Sequence, residues 1–322
     1  MSQQSPTVTA TVSAVFASRV LVSLQRRSAG LLARAASLRP DPAPEGLQGT
    51  LGRIGSLEVR LARTKKEVKK AQRLRYRVFY EEMAAAPDMM SRLKRRDIDA
   101  YDLICDHLLV IDHEAPAALF GKPNKAKRKP KVVGTYRLLR QDVAEAHGGF
   151  YSESEFDIAP LLQRHPGKRF LELGRSCVLA PYRDKRTVEL LWHGVWTYVR
   201  RYKMDVMFGC ASLEGTDPAR LALPLSFLHH HAPAPAEWRA RAVENRRTPM
   251  DVLGKGDINP KAALHSLPPL IKGYLRLGAS FGDGAVVDRQ FGTTDVLVVL
   301  PVSAISPRYI DHFGAEATRH AA

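Results

Sequence analysis

The stretch FLELGRSCVLAP, residues 170–181, decides how this chain folds. It is an apolar strand interrupted by Glu172, Gly174 and Arg175. Alternate residues of a regular strand share a face, so Glu172 and Arg175 would point to opposite sides of a sheet. Gly174 offers another outcome, because a β-bulge adds one residue to one strand and re-aims the side chain that follows. A bulge there would turn Glu172 and Arg175 toward one cleft. Downstream, YRDKRT (182–187) reads as a turn, TVELLWHGVWTYVRRYK (187–203) as a strongly amphipathic helix and DVMFGCAS (205–212) as a buried strand. A strand–turn–helix–strand unit set among antiparallel hairpins predicts a mixed α/β fold.

Working outward, LEVRLA from Leu57, HLLVID (107–112) and VVGTYRLLR (132–140) have the character of strands. KKEVKKAQRLRYRVFYEEM (65–83) places Val68, Ala71, Leu74, Val78 and Phe79 on one helical stripe. RRDIDAYD (95–102) is an acidic loop, and residues 121–131 form a basic hairpin insertion with six Lys or Arg and two Pro. DPARLALPLSFLHH reads as helical, residues 232–268 as a long loop region and GASFGDG (278–284) as a turn. GYLRLGA (273–279) and TDVLVVLPV (294–302) read as strand-like runs. The expected organisation is a basic N-terminal extension, residues 1–50, and one domain over 51–322 carrying the insertion at 121–131. No internal repeat is present.

The 322 residues are 45% hydrophobic, enough for a sizeable core, and carry a net charge of +16 with a pI near 9.9. Such an excess points to an anionic partner: nucleic acid, an anionic membrane surface or an acidic protein. Cys105, Cys177 and Cys210 are odd in number and far apart, which argues against a disulfide framework and fits a reducing cytosol. No apolar run reaches the roughly 18–20 residues of a membrane-spanning helix, and the N-terminus lacks the pattern of a secretory signal. Residues 1–40 contain five Arg and no acid, with Phe16, Val20, Leu24 and Leu31 at roughly helical spacing between 12 and 38. An interfacial amphipathic helix, a disordered tail and a transit peptide all fit that pattern. His229, His230 and His231 are adjacent, so they cannot all face one ion on regular structure, and no metal site is expected.

Four features carry chemistry: Arg75 with Phe79 one helical turn on; Asp97, Asp99 and Asp102; Arg137 within an apolar strand; and Glu172 with Arg175. Each alone has an ordinary explanation as a solvated loop or a snorkelling arginine. Their order, R-x-x-x-F, D-x-D-x-x-D, R-L-L and E-x-x-R, resembles that of the acyl-homoserine-lactone synthases, a branch of the GNAT-like acyltransferases. The runs GGFYSESEFDIAPLL, LELGRSCVLAPYRDKRTVELLWHGVW and FGCASLEGTDP are more similar still to the L-ornithine Nα-acyltransferases of bacterial ornithine-lipid synthesis. The resemblance covers roughly residues 57–313.

It implies a GNAT-like fold, a mixed and mostly antiparallel central sheet flanked by helices, whose central strands splay to admit a phosphopantetheine arm. It also implies attack by an amino acid's α-amine on a thioester held by acyl carrier protein, with no other cofactor. Glu172 is then the candidate base and Arg175 its orienter. The backbone around Cys177 and Val178 is the candidate oxyanion donor. Arg75, Arg137, Phe79, Asp97, Asp99 and Asp102 would form the substrate site, with an arginine taking the ornithine carboxylate. Asp99 and Asp102 would receive its side-chain ammonium or else lock the arginines. Arg183, Lys185 and Arg186 stand at a helix N-terminus, which favours anions, and fit the phosphopantetheine phosphate or the acidic carrier. The expected partners are acyl carrier protein, L-ornithine and an anionic membrane surface, with no specific nucleic acid. The expected location is the cytoplasm, peripheral at the inner face of the cytoplasmic membrane. Two rivals remain: acyl-homoserine-lactone synthesis from S-adenosylmethionine, and a non-catalytic protein that uses its charge to bind membrane or nucleic acid.

Overall fold

A computed structural model describes residues 46–83, 85–116, 129–307 and 309 of the chain. The acid-free stretch 12–38 and residues 121–128 of the insertion lie outside the described residues. Strands β1 (Gly52–Ile54) and β2 (Leu57–Leu61) open the fold, and α1 (Lys65–Tyr76) runs on into one π-helical turn, Arg77–Glu82. A short α2 (Met89–Lys94) and a 3-10 turn (Ala100–Leu103) lead to β3 (Asp106–Asp112) and β4 (Lys131–Arg140). Then come α3 (Gln141–Ala146), a 3-10 turn (Tyr151–Ser154), β5 (Phe156–Asp157), α4 (Ala159–Arg164) and β6 (Phe170–Val178). Helix α5 (Lys185–Arg201), β7 (Val206–Glu214) and α6 (Ala222–His231) follow. The C-terminal part holds β8 (Arg241–Ala242), β9 (Arg247–Thr248), α7 (Pro260–Ser266), α8 (Pro269–Leu277), β10 (Ser280–Asp288) and β11 (Thr293–Pro301).

The strands join one sheet in the order β1-β2-β3-β4-β6-β7-β11-β10-β8-β5, with β9 on β10. Pairing is antiparallel except between β6 and β7 and between β8 and β10. Strand alternation gives the sheet two apolar faces. On β3, Leu108 and Val110 pack in one cluster with Leu190 and Val195 of α5. Leu109 and Ile111 pack on the other side with Ala71 and Leu74 of α1. Both helices are capped, Thr64 accepting from the Glu67 amide and Asp184 from the Thr187 amide. Among the described residues no helix is long and apolar enough to cross a membrane.

The centre of the sheet is discontinuous. β6 and β7 pair over Phe170↔Val206, Leu171↔Met207 and Glu172↔Phe208 only. Beyond that point β6 stays with β4 as far as Val178, and β7 stays with β11 as far as Glu214. Gly209 sits where they part: a Cβ there would lie 2.2 Å from the Leu173 carbonyl oxygen.

Three expectations along the chain are corrected. Residues 273–277 belong to helix α8, because Ile271, Tyr274 and Leu277 recur at helical spacing between Pro269 at the start and the left-handed Gly278 at the end. GASFGDG is mostly the start of β10, whose Gly282 lets the strand pass close to the Ala240 carbonyl. The region 232–268 is not a plain loop, since it holds β8, β9 and α7.

Candidate active site

The bulge expected in β6 is present. Thr135 pairs with Cys177 and Arg137 with Gly174, so Tyr136 alone faces Arg175 and Ser176. Its left-handed residue is Arg175, at φ 50°, and not Gly174. A side chain rarely accepts that backbone region, and holding it there costs on the order of 1–3 kcal/mol. The bulge turns the Arg175 guanidinium over the Tyr151 ring (5.0 Å) and the Phe291 ring (4.6 Å).

Arg175 joins a closed ring of charge with Arg75, Arg137, Asp97, Asp99 and Asp102. Arg75 bonds Asp102 through both terminal nitrogens, at 2.8 and 2.7 Å, and its Nε lies 2.7 Å from Asp97. Arg137 bonds both Asp99 oxygens at 2.6 Å and reaches Asp102 at 3.4 Å. Arg175 lies 3.5 Å from Asp97 and 3.4 Å from Asp99. Each arginine therefore bridges a different pair of aspartates, and each aspartate serves two arginines. Burial alone would raise the Asp99 and Asp102 pKa values, but Arg137 and Arg75 hold both below the ordinary carboxylate range.

The ring has an inner and an outer side. Arg75 and Asp102 are sealed, with side chains 1% and 2% exposed, and Gln72 takes a further Asp102 contact. Arg75, expected in the substrate site, has its Nε and both terminal nitrogens on Asp97 and Asp102 inside the protein. Asp99 and Arg175 are the open members, with side chains 22% and 14% exposed. Arg137 stands between them over the Tyr101 and Tyr151 rings. Phe79, on the π-helical turn, meets Phe291 edge-on, and Tyr80 donates to Asp97.

Glu172 and Arg175 converge on Tyr151 without pairing with each other. The Glu172 carboxylate accepts from the amides of Tyr151 (2.9 Å) and Ser152 (2.7 Å) and from the Ser152 hydroxyl (2.5 Å). It thereby caps the turn whose first ring lies beneath both Arg137 and Arg175. Burial raises the Glu172 pKa despite these bonds. Cys177 and Val178 continue β6 past the bulge, along the edge that β7 has left. At the start of α5, Arg183 bonds the Val178 carbonyl and Glu82, Arg186 bonds the Ile54 carbonyl, and Lys185 projects into solvent beside Glu189. Burial pushes the thiols of Cys105, Cys177 and Cys210 up, which keeps them protonated.

Tyr151, Phe291 and Tyr80 were missed at the level of sequence, because nothing near them in the chain marks them as partners of distant arginines. A second acidic group was missed as well. Oxygens of Glu155, Asp288 and Asp295 lie within 4.8 Å of one another, close enough to share a cation among the described residues. Arg246 already occupies Glu155, and Thr293 bonds Asp295. Burial, reinforced by Asp295, raises the Glu155 pKa to about 7. A carboxyl whose pKa is higher folded than unfolded binds more protons in the folded state, so stability falls as pH rises from about 4.5 to about 7. Glu155→Gln is accordingly expected to raise the melting temperature at pH 8 by several degrees, with the gain vanishing near pH 4.5. Thermal melts across that range check it, and an equal gain at every pH refutes it.

The chain is similar to several known proteins. The acetyltransferase (GNAT) domain model matches residues 74–193. The chain is 56% identical over 272 residues to the L-ornithine N(alpha)-acyltransferase of Agrobacterium fabrum, covering 84% of this chain and 90% of that protein. It is 54% identical over 269 residues to the enzyme of that name from Brucella abortus (84% and 92% covered). Against the one from Rhizobium meliloti it is 56% identical over 269 residues (84% and 88% covered).

Proposed function

From the premise that the chain belongs to the L-ornithine Nα-acyltransferase family, acyltransferases of the GNAT fold, we propose that it moves an acyl group, such as a 3-hydroxyacyl group, from acyl carrier protein to the α-amine of L-ornithine, giving lyso-ornithine lipid. The observation that supports this best is the parting of β6 and β7 beside the charged ring. The gap suits an extended thioester arm, and the ring offers paired charges for a zwitterionic amino acid.

The amine nitrogen attacks the thioester carbonyl, forming the C–N bond and an oxyanion. Glu172 takes the proton that the amine loses, directly or through a water. Of the two expected donors, Cys177 faces β4 through its pairing with Thr135, so the Val178 backbone N–H on the opposite edge faces the oxyanion, where one well-placed donor contributes about 3 kcal/mol. The C–S bond then breaks, and the carrier leaves as its thiol after taking up a proton. Asp99 receives the side-chain ammonium of ornithine, and Arg175 with Arg137 holds its carboxylate; Arg75, Asp97, Asp102 and Phe79 position them. We place the enzyme in the cytoplasm, at the inner face of the membrane, with the acid-free tail contributing to attachment.

The test is thiol release from acyl carrier protein thioester with ornithine or S-adenosylmethionine as acceptor. Release with ornithine alone is expected, and release with S-adenosylmethionine alone would overturn the assignment. Arg183, Lys185 and Arg186 are the proposed carrier contacts, so the apparent affinity should fall as salt shortens the Debye length below ~10 Å. Replacing all three with Ala should flatten that dependence. Salt-independent kinetics in the parent enzyme would remove these residues from carrier recognition.

A further inference from the structure

Helix α2 is inside out. Its buried residue is Ser91, 1% exposed, while Met89 and Leu93 stand 80% and 77% exposed, with Met90 at 49% and Met83 just upstream at 46%. Met89 and Leu93 are one helical turn apart and Met90 lies beside them, so the three share the outward face. Ordinary folding places such residues against the core, and a cluster of them on a surface marks an interaction site. These four stand among basic residues. Residues 65–96 contain eleven Lys and Arg against four acids, and of those eleven only Arg75 is buried. Arg92, Lys94 and Arg95 flank the apolar face directly, and Lys66, Lys69, Lys70 and Arg73 are exposed along α1.

The position is specific too. Glu82, next to Met83, pairs with Arg183 at the start of α5. The Ala86 amide donates to the Gln290 carbonyl at 2.7 Å, one residue from Phe291. Three residues beyond Lys94 the chain enters the charged ring at Asp97. The segment thus borders both the carrier end and the acceptor end of the site.

We propose that Met83, Met89, Met90 and Leu93, with the surrounding Arg and Lys, form a patch that docks the enzyme on an anionic lipid surface at the mouth of its active site. The charges match an anionic partner of any kind. Apolar side chains protruding among cations match an interface with anionic headgroups above and acyl chains below. The patch gains its purpose, delivery of a single-tailed amphiphile, from the proposed acyl transfer, but its evidence is independent of that reading.

The test uses the full chain carrying Leu93→Trp or Met89→Trp, with vesicles of brominated phosphatidylcholine containing anionic phosphatidylglycerol. No acyl transfer is measured, so failure here is separate from failure of the enzymatic assignment. A blue shift and at least twofold quenching of the added tryptophan are expected, set against the parent's Trp192, Trp196 and Trp238. Co-sedimentation with vesicles while the added tryptophan stays unquenched would overturn the proposal and assign attachment to another segment, such as residues 1–45. A response to acyl carrier protein, or to protein concentration without lipid, and none to vesicles would assign the patch to that partner or to a second copy. Failure to bind vesicles at all would also overturn it.

Discussion

Glu172→Gln is expected to lower kcat by about 10²–10⁴-fold, the range typical of a lost general base. A carboxylate offers roughly four lone-pair positions. Tyr151 and Ser152 fill three of them at Glu172, which leaves room for one proton. Burial moves its pKa up from the usual carboxylate value toward the working pH, the direction that suits a base. Activity in the parent should therefore fall on the acid side as Glu172 is protonated, and that limb should vanish in the Gln variant. The same residue also caps the Tyr151 turn, and an amide group opposing a backbone N–H costs about 1–3 kcal/mol. A purely structural role would show as a lower melting temperature with the acid limb intact, and that result would end the case for Glu172 as base.

Gly209→Ala should abolish stable folding, or lower the melting temperature by well over 4 °C, the shift about 1 kcal/mol produces in a chain of 150–250 residues. The added methyl would meet the Leu173 carbonyl at 2.2 Å. That neighbour is backbone, held in place by the β4–β6 pairing, so it cannot swing aside as a flexible side chain would. Gly174 provides the internal control, because a Cβ there has nothing within 4 Å and its φ is not in the left-handed region. Gly174→Ala should melt near the parent. Equal stability of the two variants would mean that β6 and β7 can part further at little cost.

These two glycines show where sequence reasoning reached and where it stopped. The apolar run around Gly174 announced a central strand, and the charged interruption announced a bulge; both are local patterns. Gly209 lies in an equally apolar run, yet its importance comes from a carbonyl on a neighbouring strand, which no spacing within 205–212 reveals. Arg175 taking the left-handed backbone itself was illegible for a related reason. Local preference assigns that geometry to glycine, and only tertiary contacts with Tyr151, Phe291, Asp97 and Asp99 override it. Within the acidic motif, Asp99 and Asp102 could be read as either receiving substrate or locking arginines. Asp99 and Asp102 differ in exposure, 22% against 2%, and exposure belongs to the folded chain. Helix α8 was misread because Leu275 and Leu277 alternate like a strand, while its proline start and glycine end were the better signal.

The charged ring also bears on how the chain reaches its native state. Its six members come from α1, the 97–102 segment, β4 and β6, pieces separated by up to a hundred residues. Docking any three without the fourth would enclose charges lacking their partners, and breaking a buried pair costs about 3–5 kcal/mol. Partly assembled sheets are therefore penalised relative to both the open chain and the finished one. The ring makes assembly of the sheet's centre all-or-none, so an incomplete enzyme is also an unstable one.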